Sequence, residues 1–238
     1  MWYAEKNKIM LHDTTIISLG GSLIVPHEIN REFLINFKKL ISKNLRHNRR
    51  FFIITGGGMT ARNYQKAAES VGSLTRDDLD WLGIHSTRLN AHLIRTVFRR
   101  EAHKRIITNP KEHKEPFNEK IMVAAGWRPG FSTDYIAVCL ARKYGVKTIV
   151  NMSNIDYAFD RDPRVHSDAK IIKNISWREF RKIVGNKWDP GLNLPFDPVA
   201  SRLAEKLKLK VIILNGNNLR NLDKCLKGNG FKGTVVED

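Results

Sequence analysis

Short continuous apolar runs alternate along the chain with longer segments whose apolar residues recur every three to four positions. The short runs are typical of strands buried in a sheet, and the periodic segments are typical of helices. Because helices separate successive strands, the order predicts right-handed crossovers between parallel strands. The predicted strands are 15–19, 51–55, 104–108, 121–125, 147–152, 210–214 and 234–235, and the predicted helices are 28–45, 135–141, 177–184, 198–207 and 219–226, with one more after Gly58 and one after Thr75.

Three consecutive glycines at 56–58 join the strand 51–55 to a helix whose apolar residues are spaced from Ala61 to Val71. Backbone without side chains can take positive φ and bring its N–H groups close to a ligand. A helix that begins after such a turn favours an anion at its N-terminus. Arg62 lies about one turn into this helix and could add a charged group there. A tight connection that needs glycine only for packing is the alternative interpretation.

Two further strand ends carry small and polar residues. The strand 15–19 ends in GGS at 20–22, and the strand 121–125 ends in GWRPGFSTD at 126–134, where Ser132 or Thr133 can cap a helix that begins at Asp134. In a parallel sheet these strand ends open on one side, where open α/β folds bind their ligands. Glycines, hydroxyls and a carboxylate together form a plausible site for two phosphorylated molecules.

Length and composition fit a globular chain of 238 residues with 42% hydrophobic content, and we expect one domain spanning 1–238. No apolar run approaches the roughly 20 residues of a membrane span, and the N-terminus lacks the apolar stretch of a signal peptide, so we expect a cytoplasmic protein without a membrane partner. Neither the two cysteines nor the aspartates at 156, 160, 162 and 168 have metal-site spacing.

The net charge of +17 raises the expectation of anionic partners. The excess is spread over amphipathic segments: residues 31–50 hold seven basic side chains and one acid, and 95–105 hold five basic side chains and one acid. Solvated helix faces are the simpler interpretation, and nucleic-acid binding is not expected as the main function. The apolar stripes of these segments are Phe33, Leu34, Phe37, Leu40 and Ile41 in one, and Leu89, Leu93, Val97 and Phe98 in the other.

Seven segments in order carry a family resemblance: GGSL (20–23), TGGGMTAR (55–62), DWLGIHSTRLNA (80–91), GWRPGFSTD (126–134), NMSNIDYAFDRDP (151–163), FDPVA (196–200) and ILNG (213–216). Together they resemble the amino-acid kinase superfamily, and within it the uridylate kinases of archaeal type. The resemblance covers nearly the whole chain. It implies a three-layer α/β/α sandwich around a mainly parallel sheet. It also implies transfer of the γ-phosphoryl of ATP to UMP with Mg²⁺, in a homo-oligomer that is usually a hexamer.

The resemblance also assigns site residues. It implies that Arg62 and Asp134 act in catalysis, with Asp134 orienting the site through water, magnesium or basic side chains. The positions that match ATP-binding residues are Gly21, Ser22, Gly58, Arg62, Ser153, Phe159 and Asp162. The positions that match UMP-binding residues are Gly57, Asp80, Trp127, Arg128, Pro129, Gly130, Phe131, Ser132 and Thr133, with Asp80 at the ribose.

Three positions depart from the family pattern. Ser18 stands where many members have a lysine that clamps the β- and γ-phosphates, and Arg128, Arg164 and Lys187 are candidates to replace it. Tyr157 stands where a glycine is usual in the ATP segment, and Trp127 replaces a small polar residue of the UMP loop. Two alternatives therefore stay open: a kinase of the same fold for another small phosphate or a carboxylate, and a non-catalytic protein that stores oxyanions or nucleotides.

Overall fold

The computed structural model describes residues 14–112, 118–187 and 194–238. Its elements follow the predicted alternation of strands and helices. The strands are β1 (Thr14–Leu19), β2 (Arg50–Thr55), β3 (Ile121–Ala124), β4 (Thr148–Ser153), β5 (Ala158–Phe159), β6 (Ile171–Ile172), β7 (Asn174–Ile175), β8 (Lys210–Asn215) and β9 (Thr234–Val236). The helices are α1 (Gly21–Ile24), α2 (Arg31–Arg46), α3 (Gly58–Val71), α4 (Arg76–Val97), α5 (Thr133–Tyr144), α6 (Trp177–Val184), α7 (Pro198–Lys206) and α8 (Leu219–Leu226).

Seven strands form one sheet in the order β3-β2-β1-β4-β8-β9-β7, and β5 pairs with β6 apart from it. The pairs from β3 to β8 are parallel, whereas β9 is antiparallel to β8. Leu19 is in register with Thr55 on one side and with Met152 on the other. The carboxyl ends of β1, β2 and β4 are therefore level, and the turns that follow them meet at one edge.

Helices cover both faces of this sheet, which confirms the three-layer α/β/α sandwich. Alternate strand residues serve opposite cores, because successive side chains of a strand point to opposite faces. Ile16 packs in the core beneath α5, α6 and α7, and Ile17 packs in the core beneath α2, α4 and α8. Helix α5 is the most enclosed, since its residues from Ile136 to Ala141 are all buried. Within the described ranges, no helix is long and apolar enough to cross a membrane.

Three predicted details are wrong. Residues 104–108 form no strand, since only the bridges Ala102–Ile121 and Ile107–Ala124 pair with β3 and the basic residues between them lie in solvent. Helix α2 begins at Arg31 rather than near 28, because the Asn30 side chain caps it by accepting the N–H of Phe33. Leu89 is 62% exposed, because α4 turns a different face, including Ala91 and Ile94, to the core.

Candidate active site

The two glycine turns that follow β1 and β2 touch each other through their backbones. A Cβ added to Gly21 would lie 2.1 Å from the backbone nitrogen of Gly58, and a Cβ added to Gly58 would lie 2.3 Å from the carbonyl oxygen of Gly21. Both positions therefore require glycine. Gly58 alone of the 56–58 run has positive φ, at 64°. The contact is between two turns of the same chain, so packing alone already requires these glycines, and the approach of a ligand to this turn stays a prediction.

Helix α3 begins at this contact, with Gly57 as its N-cap and no side-chain cap. The first N–H groups of a helix have no intrahelical acceptor, and the positive end of its dipole lies there. Arg62 lies exposed on the same helix, and it makes no hydrogen bond or ion pair with another described residue. The two turns thus bring together backbone donors and a nearby guanidinium, which is a suitable arrangement for phosphate oxygens.

Polar side chains of α4 hold the turns in place, and the sequence did not single them out. Asn90 donates through Nδ2 to the carbonyl oxygens of Gly56 at 2.8 Å and Gly57 at 3.1 Å. Thr87 Oγ1 accepts the N–H of Gly126 at 2.8 Å. Arg88 donates to the carbonyl oxygens of Gly126 and Trp127, and burial lowers the pKa of its guanidinium. The signal in the sequence that could have indicated them is a group of polar residues on the side of α4 that its amphipathic pattern buries.

Asp80 of α4 reaches the loop 126–134, while its role at the ribose stays a prediction. Its Oδ2 accepts the N–H of Gly130 at 2.9 Å. Partial burial raises the pKa of the Asp80 carboxyl, and the Gly130 N–H opposes that rise. Gly130 has φ of 84°, a conformation that favours glycine. The loop therefore presents its backbone to Asp80 through a turn that a larger residue would strain.

An aromatic row lines the same loop. The rings of Trp127 and Phe131 are 5.2 Å apart, and those of Phe131 and Tyr135 are 4.6 Å apart. The Arg128 guanidinium lies 4.4 Å from the Trp127 ring and 5.2 Å from the Phe131 ring. Arg128, a candidate for the phosphate clamp, is thus held over aromatic faces at this loop. Pro129, in the same loop, is half-buried. Ser132 caps α5 by accepting the N–H of Tyr135, and Thr133 is the first residue of that helix.

A carboxylate pair lies behind the first glycine turn. Ser18 donates through Oγ to Asp134 Oδ1 at 2.9 Å, and the backbone N–H of Asp197 donates to Asp134 Oδ2 at 3.2 Å. Asp197 is 6% exposed and caps α7 by accepting the N–H of Ala200 at 2.6 Å. Its other oxygen, Oδ2, is buried and has no hydrogen-bond partner within the described part of the chain. In the sequence, aspartate followed by proline at 197–198 indicates only the start of a helix.

These two carboxyl groups hold protons more tightly than exposed aspartates do. Burial, and then the charge of Asp197, raise the pKa of Asp134 to about 7, against the hydrogen bond from Ser18. Burial also raises the pKa of Asp197, against the N–H of Ala200. Where the family resemblance places a lysine, this chain has a hydroxyl, so no cation of β1 compensates these charges. The site at this point favours a proton or another positive species.

The predicted ATP segment lies beside the end of β4. Ser153 ends that strand, Phe159 lies in β5, and Asp162 is exposed beyond it. Asp162 accepts two hydrogen bonds from the guanidinium of Arg164, whose charge and N–H groups lower the pKa of Asp162 to about 2. Arg164 is therefore paired with Asp162 in this structure, and its candidacy as the phosphate clamp stays a prediction. Next to this segment opens a cavity of about 940 Å³, lined by Asn36, Leu40, Asp156, Asn215, Asn217, Asn218, Leu219, Arg220, Asp223 and Lys224.

The predicted residues thus fall into three places along one edge of the sheet. At the glycine contact lie Gly21, Ser22, Gly57, Gly58 and Arg62, with Asp134 behind them. The second place is the loop that Asp80 holds, from Trp127 to Thr133. The third is the segment at and after the end of β4, with Ser153, Phe159 and Asp162. Lys187, another candidate for the phosphate clamp, is exposed at the end of a described range, and residues 188–193 lie outside the described residues.

An α/β/α sandwich with paired glycine turns and a carboxylate at the carboxyl ends of its strands defines a class of phosphate-handling proteins. The chain belongs to the amino acid kinase family, whose model matches residues 13–215. Its relatives within that family include uridylate kinases. The one from Methanococcus aeolicus is 32% identical, over 93% of this chain and 98% of its own length. The one from Thermoplasma volcanium is 30% identical, over 96% of this chain and 99% of its own.

Solved structures agree with this assignment. The uridylate kinase of Archaeoglobus fulgidus matches with a TM-score of 0.78 at 30% identity, and the match covers 93% of this chain and 99% of that one. The UMP kinase of Bacillus anthracis matches with a TM-score of 0.77 at 21% identity, over 96% and 97% of the two chains, which bears on the fold alone. The predicted family and fold are confirmed.

Proposed function

We propose that this protein is a kinase that transfers the γ-phosphoryl group of ATP to UMP, giving UDP and ADP. The observation that carries the proposal is the backbone contact between the Gly21 and Gly58 turns, in a chain that resembles uridylate kinases over nearly its full length. The contact places two phosphate cradles side by side. ATP phosphates lie against Gly21 and Ser22, and the UMP phosphate lies against Gly57, within reach of transfer.

The residues act by positioning and by charge. Transfer between two phosphates needs no covalent enzyme intermediate, and a phosphate acceptor needs little help from a general base. The N-terminus of α3 and the Arg62 guanidinium stabilise the negative charge of the transferring group. Ser153, Phe159 and Asp162 hold the adenosine part of ATP. The residues from Trp127 to Thr133 enclose the uridine.

Asp80 positions the acceptor in this proposal. Its Oδ2 already accepts the Gly130 N–H, and its partial burial limits competition from water. A carboxylate has further acceptor sites, so the ribose hydroxyls can donate to Asp80 while the loop contact persists. Asp80 thereby couples binding of UMP to the position of the loop 126–134.

Mg²⁺ bound with ATP fits the residues behind the glycine contact. Asp134, the buried unpartnered Oδ2 of Asp197 and the Ser18 hydroxyl are oxygen donors of the kind that Mg²⁺ prefers. No cluster of three acidic, histidine or cysteine side chains occurs among the described residues, so the protein alone supplies an incomplete shell. Asp134 would hold the ion jointly with phosphate oxygens and water. When bound, the ion neutralises charge on the phosphates.

Three further features complete the proposal: one domain spanning 1–238, a cytoplasmic location and a homo-oligomer, with a hexamer as the expected form. Helix α3 supports the oligomer, because none of its residues is buried and it carries exposed apolar side chains. Tyr64 is 62% exposed and Val71 is 89% exposed. Exposed apolar residues grouped on one helix are typical of an interface. Light scattering after size exclusion measures the mass, and a monomer of 27.4 kDa would contradict the oligomer.

The decisive experiment is an ADP-release assay across candidate acceptors: UMP, CMP, dUMP, isopentenyl phosphate and aspartate. We expect UMP to give the highest kcat/KM, with CMP at least tenfold lower. Preference for isopentenyl phosphate or aspartate would support the alternative that the protein is a kinase of the same fold for another small phosphate or a carboxylate. Binding of nucleotide without ADP release from any acceptor would support the storage protein.

A further inference from the structure

The strongest concentration of positive charge lies at the sheet edge opposite the candidate active site. In a parallel sheet, each connection from a helix back to a strand returns to the amino ends of the strands. Six such segments form what we call the basal edge: residues 46–50, 99–105, 118–120, 142–148, 206–210 and 225–229. They contain fifteen lysines and arginines and two glutamates, and none of the fifteen is buried. Two carboxylates from outside these segments also reach the edge, since Glu237 pairs with Lys210 and Asp223 pairs with Lys227. Most of the net charge of +17 still lies on one edge.

Helix dipoles account for only part of this charge. Cations stabilise the last turn of a helix, and Arg46, Arg142 and Lys206 occupy such positions. Other basic residues follow the helix ends or begin the strands, where the helix dipole does not explain a preference for positive charge. These are Arg49, Arg50, Lys104, Arg105, Lys147, Lys208 and Lys210. The phosphoryl-transfer site does not use them either, because it lies at the opposite edge.

Two grooves cross the basal edge and combine cations with hydrogen-bond donors. The first, of about 540 Å³, lies at the start of β1 and β4 and is lined by Arg49 and Lys147 together with Thr15 and Thr148. The second, of about 570 Å³, is lined by basic residues from three segments, Arg46, Arg100 and Lys120, which outnumber its two carboxylates, Glu101 and Glu119. Lysine, arginine and threonine side chains are typical partners of phosphate oxygens.

The surroundings of the grooves identify the kind of polyanion. No large exposed hydrophobic or aromatic side chain lies within the described basal edge. Binding of single strands needs aromatic stacking and insertion into a membrane needs apolar side chains, so both are disfavoured. Five parallel strands from β3 to β8 make the edge roughly 20 Å wide, since neighbouring strands lie about 4.8 Å apart. That width spans several phosphates of a duplex.

We propose that the basal edge binds the phosphate backbone of double-stranded nucleic acid, without reading its sequence, independently of phosphoryl transfer. Phosphates occupy the two grooves, and the basic residues around them replace counterions on the duplex. Such binding weakens steeply with salt, by a slope in log Kd against log salt of about 0.9 per phosphate neutralised. With cations in both grooves, we expect a slope of about 4 or steeper.

The test is fluorescence anisotropy of a labelled 20-base-pair RNA duplex between 50 and 200 mM salt. The variant Arg49→Glu/Lys147→Glu reverses two charges in the first groove. We expect it to weaken binding at least tenfold and to reduce the slope by about 2, with ATP turnover unchanged. Arg100→Glu/Lys120→Glu reverses two exposed charges in the second groove and serves the same purpose should the first variant fold poorly.

The matched control is Lys38→Glu/Lys66→Glu, which makes the same change in net charge on exposed positions of α2 and α3 away from the basal edge. We expect its affinity to stay within about twofold of wild type. An equal loss in the control would overturn the proposal, because only net charge would then matter. Tighter binding to anionic lipid vesicles, equal binding to polyglutamate, or no binding to the duplex at 50 mM salt would each overturn it as well.

Discussion

The carboxyl group of Asp134 makes the stability of this protein depend on pH in a direction that can be calculated. Burial and Asp197 raise its pKa to about 7 in the folded protein, from 3.8 without them. The folded protein therefore keeps a proton that the unfolded chain loses, so raising the pH through this range favours unfolding. Each pH unit in the window costs about 1.36 kcal/mol. From pH 5 to pH 7 the free energy of unfolding should fall by about 2 kcal/mol, and by roughly 0.4 kcal/mol more before it levels off near pH 8.

Asp134→Asn removes this part of the pH dependence, because an amide of the same shape does not ionise, whereas Asp197 can still titrate in both proteins. The amide also places a donor opposite Ser18 or the Asp197 N–H, which shifts the absolute stability but not its slope with pH. Urea unfolding of both proteins in EDTA at pH 5, 6, 7 and 8 measures the difference. We expect the variant to gain about 2.5 kcal/mol on wild type between pH 5 and pH 8. Parallel curves would refute the reasoning. Asp162→Asn is the control, since Arg164 lowers the pKa of Asp162 to about 2 and its removal should give no such gain.

The remaining predictions concern the two nucleotides and the glycine contact. Asp80→Ala should raise KM for UMP at least tenfold while KM for ATP stays within about twofold, because the lost charge-assisted bonds contribute about 1.5–3 kcal/mol; wild-type KM values in steady-state kinetics would contradict this role. Arg62→Lys and Arg62→Ala should keep thermal midpoints near that of wild type yet lose at least about tenfold in kcat/KM, since lysine lacks the planar fork. Wild-type turnover in Arg62→Ala would mean that the glycine turns only connect strands to helices. Gly58→Ala should cost at least about 2 kcal/mol in urea unfolding because of its positive φ and its contact with Gly21, whereas Gly72→Ala, with open space around it, should be tolerated; equal stabilities would contradict the contact.

The sequence predicted the layers of the fold because each of the longer strands and helices carries a local signal. Runs such as 51–55 are buried on both faces, and caps such as Ser176 and Asp197 mark helix starts that the structure confirms. Strands of two residues, such as β5 and β6, carry no periodic signal and were missed. The exposure of Leu89 was missed for a related reason. The spacing of apolar residues shows that a helix has a buried face, but it does not define the edges of that face to the residue.

The site was predictable where its residues follow a strand end and not where contacts are distant in the chain. The glycines at 20–21 and 56–58 lie at strand ends, so their common edge followed from parallel order. Their mutual contact did not follow, because it joins residues 37 positions apart. The pairing of Asp134 with Ser18 and Asp197 likewise joins elements 116 and 63 positions apart. Such contacts depend on packing that no local pattern specifies.

Direct transfer from ATP to UMP at the glycine contact is the central claim, and one labelling experiment tests it. The protein is incubated with ATP labelled at the γ-phosphorus, with UMP and Mg²⁺, and the products and the protein are separated. We predict that the label appears in the β-phosphate of UDP in step with ADP, that no label stays on the protein, and that Arg62→Ala slows this transfer at least tenfold. Label released as inorganic phosphate, retained on the protein, or left in ATP would contradict the claim.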